Sequence, residues 1–482
     1  MINTLHNLLE SVFNPLEEKK HPWFGWLWLA GLYLGVGALW VKFLNRGNIP
    51  FDFHDWAEIS AARYAFLRDA VIKGVLPLHM PDASALRNIT DRFMALPDVT
   101  LSPQVFLLRF MDVGPFILVN LLLLYSLGAL GLLALKRRFS LSLAAFSILF
   151  LLFNFNGYIQ SHLAVGHANY SGYFLFPWLA VLVFQFLDGQ KGWAWVAKIA
   201  ILLFLIFLQG SFHHYIWGLM FLGILGLTSR DRLIPVLKAL VAAVLLSMLR
   251  ILPPALDAAK FDSGFLGGYP TVMDIWKSMT TIVFPQDSLS VRNALNPLGW
   301  WEFDLYIGLL GAVFLLYFGI FRWLKEGRAQ SGFPALVLPI TALSVISVGS
   351  IYQIVRLLPI PLIAGERVSS RFISLPFAFL LILAAVEFQR WLDERPANAA
   401  VIRISWLGLI GILIHDLWQH GKVWQVTSAV QAFPVTPVNL AIKIVSNHAD
   451  PPYIAAISIG AAVSLVTLVA LLFLWRREVR KA

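Results

Sequence analysis

Long apolar runs, separated by short polar breaks, fill most of this chain. A helix needs about 20 apolar residues to cross the hydrocarbon core of a bilayer, and most of the runs approach that length. The pattern therefore predicts an all-α polytopic membrane protein with about twelve transmembrane helices. Their predicted centres lie near residues 34, 124, 146, 180, 202, 220, 242, 312, 342, 380, 408 and 464.

The polar breaks between the runs predict the orientation of the helices. Lysine and arginine clusters are concentrated in every second break, and cytoplasmic loops carry such an excess. We therefore expect these breaks and both chain termini to be cytoplasmic. The clusters are Lys19-Lys20, Lys136-Arg137-Arg138, Lys191, Arg230 with Arg232, Arg322 with Lys325 and Arg328, Arg390 with Arg395, and Arg476-Arg477.

The first 22 residues have a different pattern from the remainder. Apolar residues recur at helical spacing from Ile2 to Phe13, and Pro15 ends the repeat. This spacing predicts a short amphipathic helix that lies at the membrane interface or, alternatively, packs against neighbouring helices. We therefore divide the chain into an interfacial helix at 1–22 and one transmembrane domain at 23–482.

Composition agrees with a membrane protein and excludes several kinds of site. The chain is 59% hydrophobic and 13% charged, with a mean hydropathy of +0.73. Soluble domains carry about 25% charged residues. The net charge of +10 forms no compact basic patch interleaved with aromatics, so we expect no nucleic-acid partner and assign the excess to cytoplasmic loops. The absence of cysteine excludes disulfides, thiolate metal sites and cysteine nucleophiles.

The predicted orientation places six segments outside the cytoplasm. Two of them, 45–113 and 251–304, are long enough to form elaborated loops. The segment 45–113 is the longest break between the early spans. The shorter ones are 154–172, 209–215, 351–372 and 419–453. Every unusual polar cluster falls in these segments, so we expect the functional face of the protein to be non-cytoplasmic.

Three carboxylates follow the first predicted span within two helical turns, namely Asp52, Asp55 and Glu58. A carboxylate at a membrane surface can deprotonate an acceptor hydroxyl or orient a donor group. Asp55 or Asp52 suits that role. The alternative interpretation is a solvated acidic turn that pairs with Arg63 or Arg68.

Cationic and imidazole side chains occur in the later external segments. Arg367 and Arg371 are four residues apart at the mouth of a predicted span, so we expect them to share a helix face and bind a phosphate. Alternatively, they extend toward lipid headgroups or pair with Glu366. The five-residue spacing of His162 and His167 favours a hydrogen-bonded role at the interface over a metal site.

The order of these parts carries a family resemblance. An acidic motif from Asp52 to Glu58 follows the first span, in a large loop that contains Leu76-Pro77-Leu78. This order resembles the GT-C superfamily of integral membrane glycosyltransferases, in a poorly characterised bacterial branch that uses polyprenyl-phosphate sugars. The further matching motifs are Asn156-Gly157 through Gly166-His167, Pro177-Trp178, Trp301-Glu302, Tyr306-Ile307-Gly308, and Arg367 with Ser369-Ser370-Arg371-Phe372.

The resemblance implies a GT-C-like fold in the bacterial inner membrane and an inverting sugar transfer. The donor would be a polyprenyl-phosphate sugar, and the acceptor a lipid, glycan or protein outside the cytoplasm. The family's catalytic aspartate maps onto Asp55, with Asp52 second, and the missing Asp-Asp or Asp-Glu dipeptide leaves the choice between them open. The other implied site residues are Glu58 beside the base, Arg367 and Arg371 on the departing phosphate, Glu302 on the sugar or a divalent cation (Mg²⁺ or Mn²⁺), and His162, His167 and His213 along the substrate.

Two other classes of protein fit the same composition. A transporter or flippase for a lipid-linked substrate would carry ionisable groups or broken helices near the middle of the membrane. Arg250, Glu387 and Asp416 all fall near predicted span ends instead. A non-catalytic subunit of a membrane complex would keep the loops and lose the external site around Asp55.

Overall fold

The structure is a computed structural model of the full chain. It describes residues 2–81, 90–95, 98–258, 264–288, 298–326, 333–358, 365–394, 399–438, 440–442 and 444–480. Parts of the predicted external segments 45–113, 251–304, 351–372 and 419–453 therefore lie outside the described residues. Within the described residues the backbone is helical or irregular, with four isolated β-bridges and no strand. The all-α prediction is confirmed.

The helices follow one another with short connections through most of the chain. In chain order they are α1 Ile2–Phe13, α2 Pro15–Lys20, α3 Pro22–Phe43, α4 Ala61–Lys73, α5 Val113–Arg138, α6 Leu143–Asn154, α7 Gly157–Ala164, α8 Phe176–Leu187, α9 Trp193–Leu208, α10 Phe212–Leu227, α11 Arg230–Leu246, α12 Met248–Ala255, α13 Val272–Thr280, α14 Pro285–Ser288, α15 Gly308–Phe314, α16 Trp323–Glu326, α17 Val337–Ile346, α18 Gly349–Val355, α19 Ser374–Asp393, α20 Ala399–Trp424, α21 Val426–Ala429 and α22 Pro451–Val479.

Eight helical segments of the described chain are long and apolar enough to cross a membrane. The pair α11 and α12, bent by 65°, would make a ninth. Each predicted span centre lies in an apolar helix, but α9, α10 and Pro334–Ile346 have only 10–17 residues. At 1.5 Å per residue such helices fall short of a hydrocarbon core about 30 Å thick. The predicted count of twelve spans is therefore not reached by length and composition.

Two of the candidate spans form the centre of the helix bundle. The apolar windows of Leu143–Ala164 and Ser369–Asp393 are 100% buried. By contrast, the windows of Pro22–Phe43, Val401–Trp424 and Pro451–Val479 are only 17–22% buried. Exposed apolar side chains on such helices suit contact with lipid, so these three helices lie at the periphery of the bundle.

A single asparagine organises the break between α6 and α7. Asn156 accepts a hydrogen bond from the Ile159 N–H through its side chain and so caps the start of α7. Its amide nitrogen donates to the carbonyls of Leu152 and Phe153, at 2.9 Å each, which are among the last carbonyls of α6. Helix ends leave such groups unpaired. The two helices therefore continue one another across a fixed bend.

The N-terminal segment packs against the transmembrane helices at its carboxyl end. Val12 and Phe13 are buried, and Glu10 forms an ion pair with Arg403 of α20. Lys136 at the end of α5 donates to both carboxylate oxygens of Glu18 at 2.8 Å. These contacts attach this part of the segment 1–22 to the helix bundle.

Candidate functional site

Segments that are far apart in sequence meet at one end of the helix bundle. The chain reaches this end after α3, at the end of α7, at the start of α10, and just before α15 and α19. This alternation is the one expected for helices that cross a membrane in turn. The side chains that meet there are His54, Asp55, His162, His167, His213, Glu302, Glu366 and Arg371.

Side chains of the first loop cap the carboxyl end of α7. Trp56 Nε1 donates to the Ala164 carbonyl at 3.0 Å, and His54 Nδ1 donates to the Val165 carbonyl at 3.1 Å. Ser60 Oγ donates to the next carbonyl, that of Gly166, at 2.7 Å. The last carbonyls of a helix have no partner within the helix. Their pairing with residues 54–60 docks the acidic motif onto α7.

Gly166 allows the closest part of this contact. Its φ is +102°, and a Cβ at this position would lie 2.3 Å from the Trp56 nitrogen and 2.7 Å from the Asp55 carbonyl carbon. An L side chain therefore meets both a steric and a conformational penalty here. His54 also adopts a positive φ of 45°. The two backbones touch at the glycine, and the imidazole of His167 follows directly.

Asp55, His167 and His162 form a hydrogen-bonded chain. Asp55 Oδ2 lies 2.8 Å from His167 Nε2, and the Nδ1 atoms of His167 and His162 are 2.7 Å apart. A carboxylate only accepts, so His167 Nε2 donates to Asp55. In neutral imidazoles His167 Nδ1 then accepts from His162 Nδ1, which leaves His162 Nε2 without a hydrogen. That nitrogen is buried and has no hydrogen-bond partner in the described part of the chain.

Asp55 is held as an ionised carboxylate. Burial by itself would raise the pKa of Asp55, but the hydrogen bond from His167 and the electrostatic effects of His167, His54 and Arg371 outweigh it. The pKa of Asp55 therefore lies below its ordinary value of 3.8. Burial lowers the pKa of His54, and the charge of His167 adds to that effect. The Asp55 side chain remains 20% exposed, so a substrate group can reach it.

Arg371 occupies the centre of a second, more enclosed network. Its Nε and Nη2 donate to the two oxygens of Glu302 at 2.7 and 2.5 Å. Its Nη1 lies 3.4 Å from His213 Nε2, and His213 Nδ1 lies 2.7 Å from Glu366 Oε2. Because arginine only donates, His213 accepts at Nε2 and donates at Nδ1. Each of these side chains thus holds the next in a defined orientation.

The sequence predicts that Arg371 binds a phosphate, but two carboxylates already lie beside its guanidinium. Glu302 binds the guanidinium in a bidentate manner, and Glu366 Oε1 lies 3.8 Å from Nη1. Burial would raise the pKa of Glu366, but His213, Arg371 and the Val368 N–H lower it below 4.5. Two carboxylates therefore already neutralise Arg371, and a phosphate would have to compete with Glu302 for its fork.

The expectation that Arg367 and Arg371 share a helix face is wrong. Arg371 lies in the 3₁₀ turn Ser369–Ile373, whereas Arg367 lies in a bend before this turn. The Arg367 carbonyl accepts from the Leu266 N–H at 2.8 Å, next to an isolated parallel bridge between Gly267 and Val368. Pairing with the segment before α13 prevents a helix at Arg367, which sequence spacing alone does not reveal.

The other two acidic residues of the first loop have different surroundings. Glu58 is exposed, and its charge acts on His54. The Asp52 carbonyl accepts from the Thr436 N–H at 2.6 Å, and Asp52 Oδ1 is buried without a hydrogen-bond partner. The predicted alternative partner Arg68 instead pairs with Asp112 at 2.9 Å. Of the three carboxylates, Asp55 is the one in direct contact with the histidines.

A second aspartate–histidine pair lies beneath the first. Asp304 Oδ2 is 2.9 Å from His420 Nε2, and both side chains are 0% exposed. His420 Nδ1 lies 2.8 Å from Gln160 Oε1, and its ring stacks on Tyr306 at 4.6 Å between centroids. Sequence reasoning missed His420, because a lone histidine in an apolar helix gives no signal. It is a buried structural link between α7, α20 and the segment before α15.

One set of side chains at this end could hold a metal ion. A ligand atom from each of His162, His167 and Glu302 lies within 4.8 Å of the others. Both Glu302 oxygens already accept from Arg371, and the facing histidine nitrogens are linked by a hydrogen bond. A cation here would have to displace these contacts, so the arrangement favours the hydrogen-bonded role for His162 and His167.

An apolar groove lies between α15, α20 and the end of α19. It has a volume of about 380 Å³ and extends from Leu310 in α15 to Trp391 near the end of α19. Phe314, Phe318 and Trp406 also line it. The groove therefore begins near the start of α15, whose first residue, Gly308, follows Glu302 by six positions. From there it continues away from the site.

Comparison with known proteins adds no family assignment. No protein-family model matches this chain, and no curated protein sequence matches it. The resemblance to GT-C glycosyltransferases therefore rests on the motifs named above, and function has to be argued from the geometry of the site.

Proposed function

We propose that this protein is a GT-C-type glycosyltransferase that transfers a sugar from a polyprenyl-phosphate donor to a lipid, glycan or protein acceptor. The observation that carries the proposal is the Asp55–His167 pair, an ionised and partly exposed carboxylate backed by an imidazole. The remaining proposals are twelve membrane crossings, a non-cytoplasmic site, cytoplasmic termini and a bacterial inner membrane. The alternation of the helix ends at the site supports this topology.

In the proposed reaction Asp55 is the general base. Its Oδ2 is engaged by His167, whereas its Oδ1 has His54 Nδ1 no nearer than 3.7 Å. Oδ1 can therefore accept the proton of an acceptor hydroxyl. As that proton transfers, the hydroxyl oxygen forms a bond to the anomeric carbon, and the bond from this carbon to the phosphate oxygen breaks. The polyprenyl phosphate leaves with the electron pair, and the configuration inverts.

The networks around the base support its position during the reaction. Arg371 holds Glu302 and Glu366 in place and adds a positive charge that favours ionised Asp55. We assign the departing phosphate to Arg367 and to Arg371 after exchange with Glu302. His162 orients His167, which contacts the base, and His213 contacts the guanidinium of Arg371 directly.

The apolar groove supports a lipid-linked substrate. A polyprenyl chain requires an apolar path between helices while its phosphate remains at the polar end. The groove is lined by aromatic and aliphatic side chains and begins near the site end of α15. A soluble nucleotide-sugar donor would have no use for such a path.

Sugar transfer by the purified protein tests this proposal. The assay combines the detergent-solubilised chain with a panel of radiolabelled polyprenyl-phosphate sugars and membrane-lipid acceptors. Asp55→Asn should reduce transfer by at least about 100-fold, the contribution expected of a general base. Glu58→Gln, which changes an exposed carboxylate three residues away, serves as the matched control and should keep most of the activity.

Two results would contradict the proposal. Transfer at the wild-type rate by a folded Asp55→Asn variant would exclude Asp55 as the base. The absence of transfer with every donor, despite a folded wild-type protein, would favour a transporter of lipid-linked substrates or a non-catalytic subunit.

A further inference from the structure

A second polar cluster lies where the loop after α4 meets the segment before α22. The side chain of Asn447 joins the two stretches of chain. Its oxygen accepts from the N–H groups of Leu78 and His79 at 2.9 and 3.3 Å, and its nitrogen donates to the Leu76 carbonyl at 2.9 Å. This clamp holds His79 beside His448 and Asp450, residues that the proposed sugar transfer does not use.

His79, His448 and Asp450 have the composition and spacing of a metal site. A ligand atom from each residue lies within 4.8 Å of the others. The two imidazole rings are 3.7 Å apart between centroids, with an angle of 29° between their planes. Imidazole nitrogen and carboxylate oxygen are common ligands of zinc.

The distance between His79 and Asp450 fits two ligands of one ion. His79 Nε2 lies 3.4 Å from Asp450 Oδ2. Good N–H···O hydrogen bonds have a separation of about 2.9 Å, so this contact is a weak one. Two atoms bound tetrahedrally to zinc, each about 2.0–2.1 Å from it, are about 3.3 Å apart. The observed separation is close to that edge.

The polar contacts of His79 with the described residues are weak. The side chain is 1% exposed, and among the described residues its Nδ1 is buried without a hydrogen-bond partner. A buried polar atom that lacks a partner costs about 1–3 kcal/mol, and such atoms are uncommon. With Nε2 at 3.4 Å from its nearest acidic oxygen, neither ring nitrogen makes a short hydrogen bond to a carboxylate. A cation bound at Nε2 would replace its weak contact with Asp450 by a strong interaction.

Neighbouring charges complete the site. Asp450 accepts from Arg92 Nε and Nη2 at 2.8 and 3.1 Å, and Arg92 Nη1 also donates to Asp257 at 3.2 Å. Asp91 Oδ2 lies 3.5 Å from His448 Nε2. Outer carboxylates of this kind orient ligand histidines and strengthen their binding. A bound ion would take Asp450 Oδ2 from Arg92 Nε, while Arg92 keeps its contacts with Asp450 Oδ1 and Asp257. Three carboxylates surround one arginine and two imidazoles, which favours an added positive charge.

We propose that His79, His448 and Asp450 bind a Zn²⁺ ion, with water as the remaining ligand. The ion would join the first external loop to the segment that enters α22, beside the Asn447 clamp. This site is independent of the proposed sugar transfer, because it shares no residue with the cluster around Asp55.

Metal analysis of the full-length protein tests this site. The detergent-solubilised chain is stripped with a chelator, incubated with ZnCl₂, desalted, and analysed for zinc by mass spectrometry. We expect one zinc per chain for the wild type and its loss in His448→Ala. The His448 side chain is 54% exposed, so the substitution should leave the fold intact. The elution volume in size-exclusion chromatography checks this. His415→Ala is the matched control, since His415 is 64% exposed and also contacts an aspartate, Asp416.

A cobalt titration distinguishes this site from the cluster around Asp55. Co²⁺ added to the stripped protein should give the visible absorption bands of a tetrahedral complex, and His448→Ala should abolish them. His167→Ala should leave them unchanged. A wild type that retains no zinc, equal zinc in His448→Ala, or bands that disappear in His167→Ala instead would each overturn the proposal.

Discussion

Asp55–His167 and Asp304–His420 are two aspartate–histidine pairs with the same kind of contact but different exposure to solvent. Their oxygen–nitrogen distances are 2.8 and 2.9 Å. The Asp55–His167 pair is 20% and 11% exposed, whereas the Asp304–His420 pair is fully enclosed. The partly exposed pair contains the carboxylate that we propose as the general base, whereas in the enclosed pair both Asp304 oxygens accept hydrogen bonds and the pair links segments of the structure.

Each pair is built against a glycine, and the contacts of the glycines differ accordingly. A Cβ on Gly166 would meet backbone atoms of Trp56 and Asp55, so this glycine positions the first loop. A Cβ on Gly157 would lie 1.9 Å from Asp304 Oδ1, which itself accepts from the Tyr306 N–H. The first glycine lets a loop approach a helix end, and the second lets a carboxylate be enclosed.

The largest expected effect is a loss of folding stability when the histidine of the enclosed pair is replaced. His420→Ala leaves Asp304 Oδ2 and Gln160 Oε1 buried without their partner. We expect the free energy of unfolding to fall by about 3 kcal/mol, because a buried polar group left without its partner carries its full desolvation cost. Chemical denaturation in detergent measures this change. A loss as large in His167→Ala would remove the distinction between the two pairs.

Gly166→Ala tests whether the docking of the first loop matters for the reaction. The methyl group would push residues 55–56 away from α7, and a shift of about 1 Å can reduce a catalytic rate about 100-fold. The measurement is sugar transfer at equal concentrations of folded protein. Gly189→Ala is the control, since Gly189 has a similar φ of +98° but nothing within 4 Å of its Cβ. Equal activity of the two variants would contradict the assigned role of Gly166.

His167→Ala sharpens the assignment of His167 as a positioning residue for Asp55. Loss of its charge-assisted hydrogen bond, worth about 1.5 kcal/mol, should lower transfer roughly tenfold. Because this bond lowers the pKa of Asp55, its removal should move the acid limb of the pH–rate profile to higher pH. A purely structural role would lower the rate without moving the limb.

The smallest effect concerns stability in acid. The pKa values of Asp55 and Glu366 lie below their ordinary 3.8 and 4.5, so the unfolded chain binds protons at a higher pH than the native one. Their contribution is complete above the ordinary values and is lost as the pH falls through the lowered ones. We expect Glu366→Gln to flatten the decline in thermal stability below about pH 4.5. An unchanged slope would exclude Glu366 as a source of that decline.

The fold could be predicted in outline because hydropathy is a property of short segments. Every predicted span centre falls in an apolar helix, but α9, α10 and Pro334–Ile346 are shorter than a membrane crossing requires. An apolar run does not show where its helix ends, since ends depend on caps such as Asn156 and on contacts with other segments. The predicted shared face of Arg367 and Arg371 failed for the same reason.

Sequence by itself determined the membrane class, the all-helical fold and the segments that carry polar chemistry, because composition and periodicity are local. It nominated Asp55, His162, His167, His213, Glu302 and Arg371 without showing which of them touch. Tertiary structure alone decided that Asp55 meets His167, that Arg371 is neutralised by Glu302, and that Asp304 is enclosed with His420. Those contacts join residues 69 to 116 positions apart, and only the packing of the helices sets such distances.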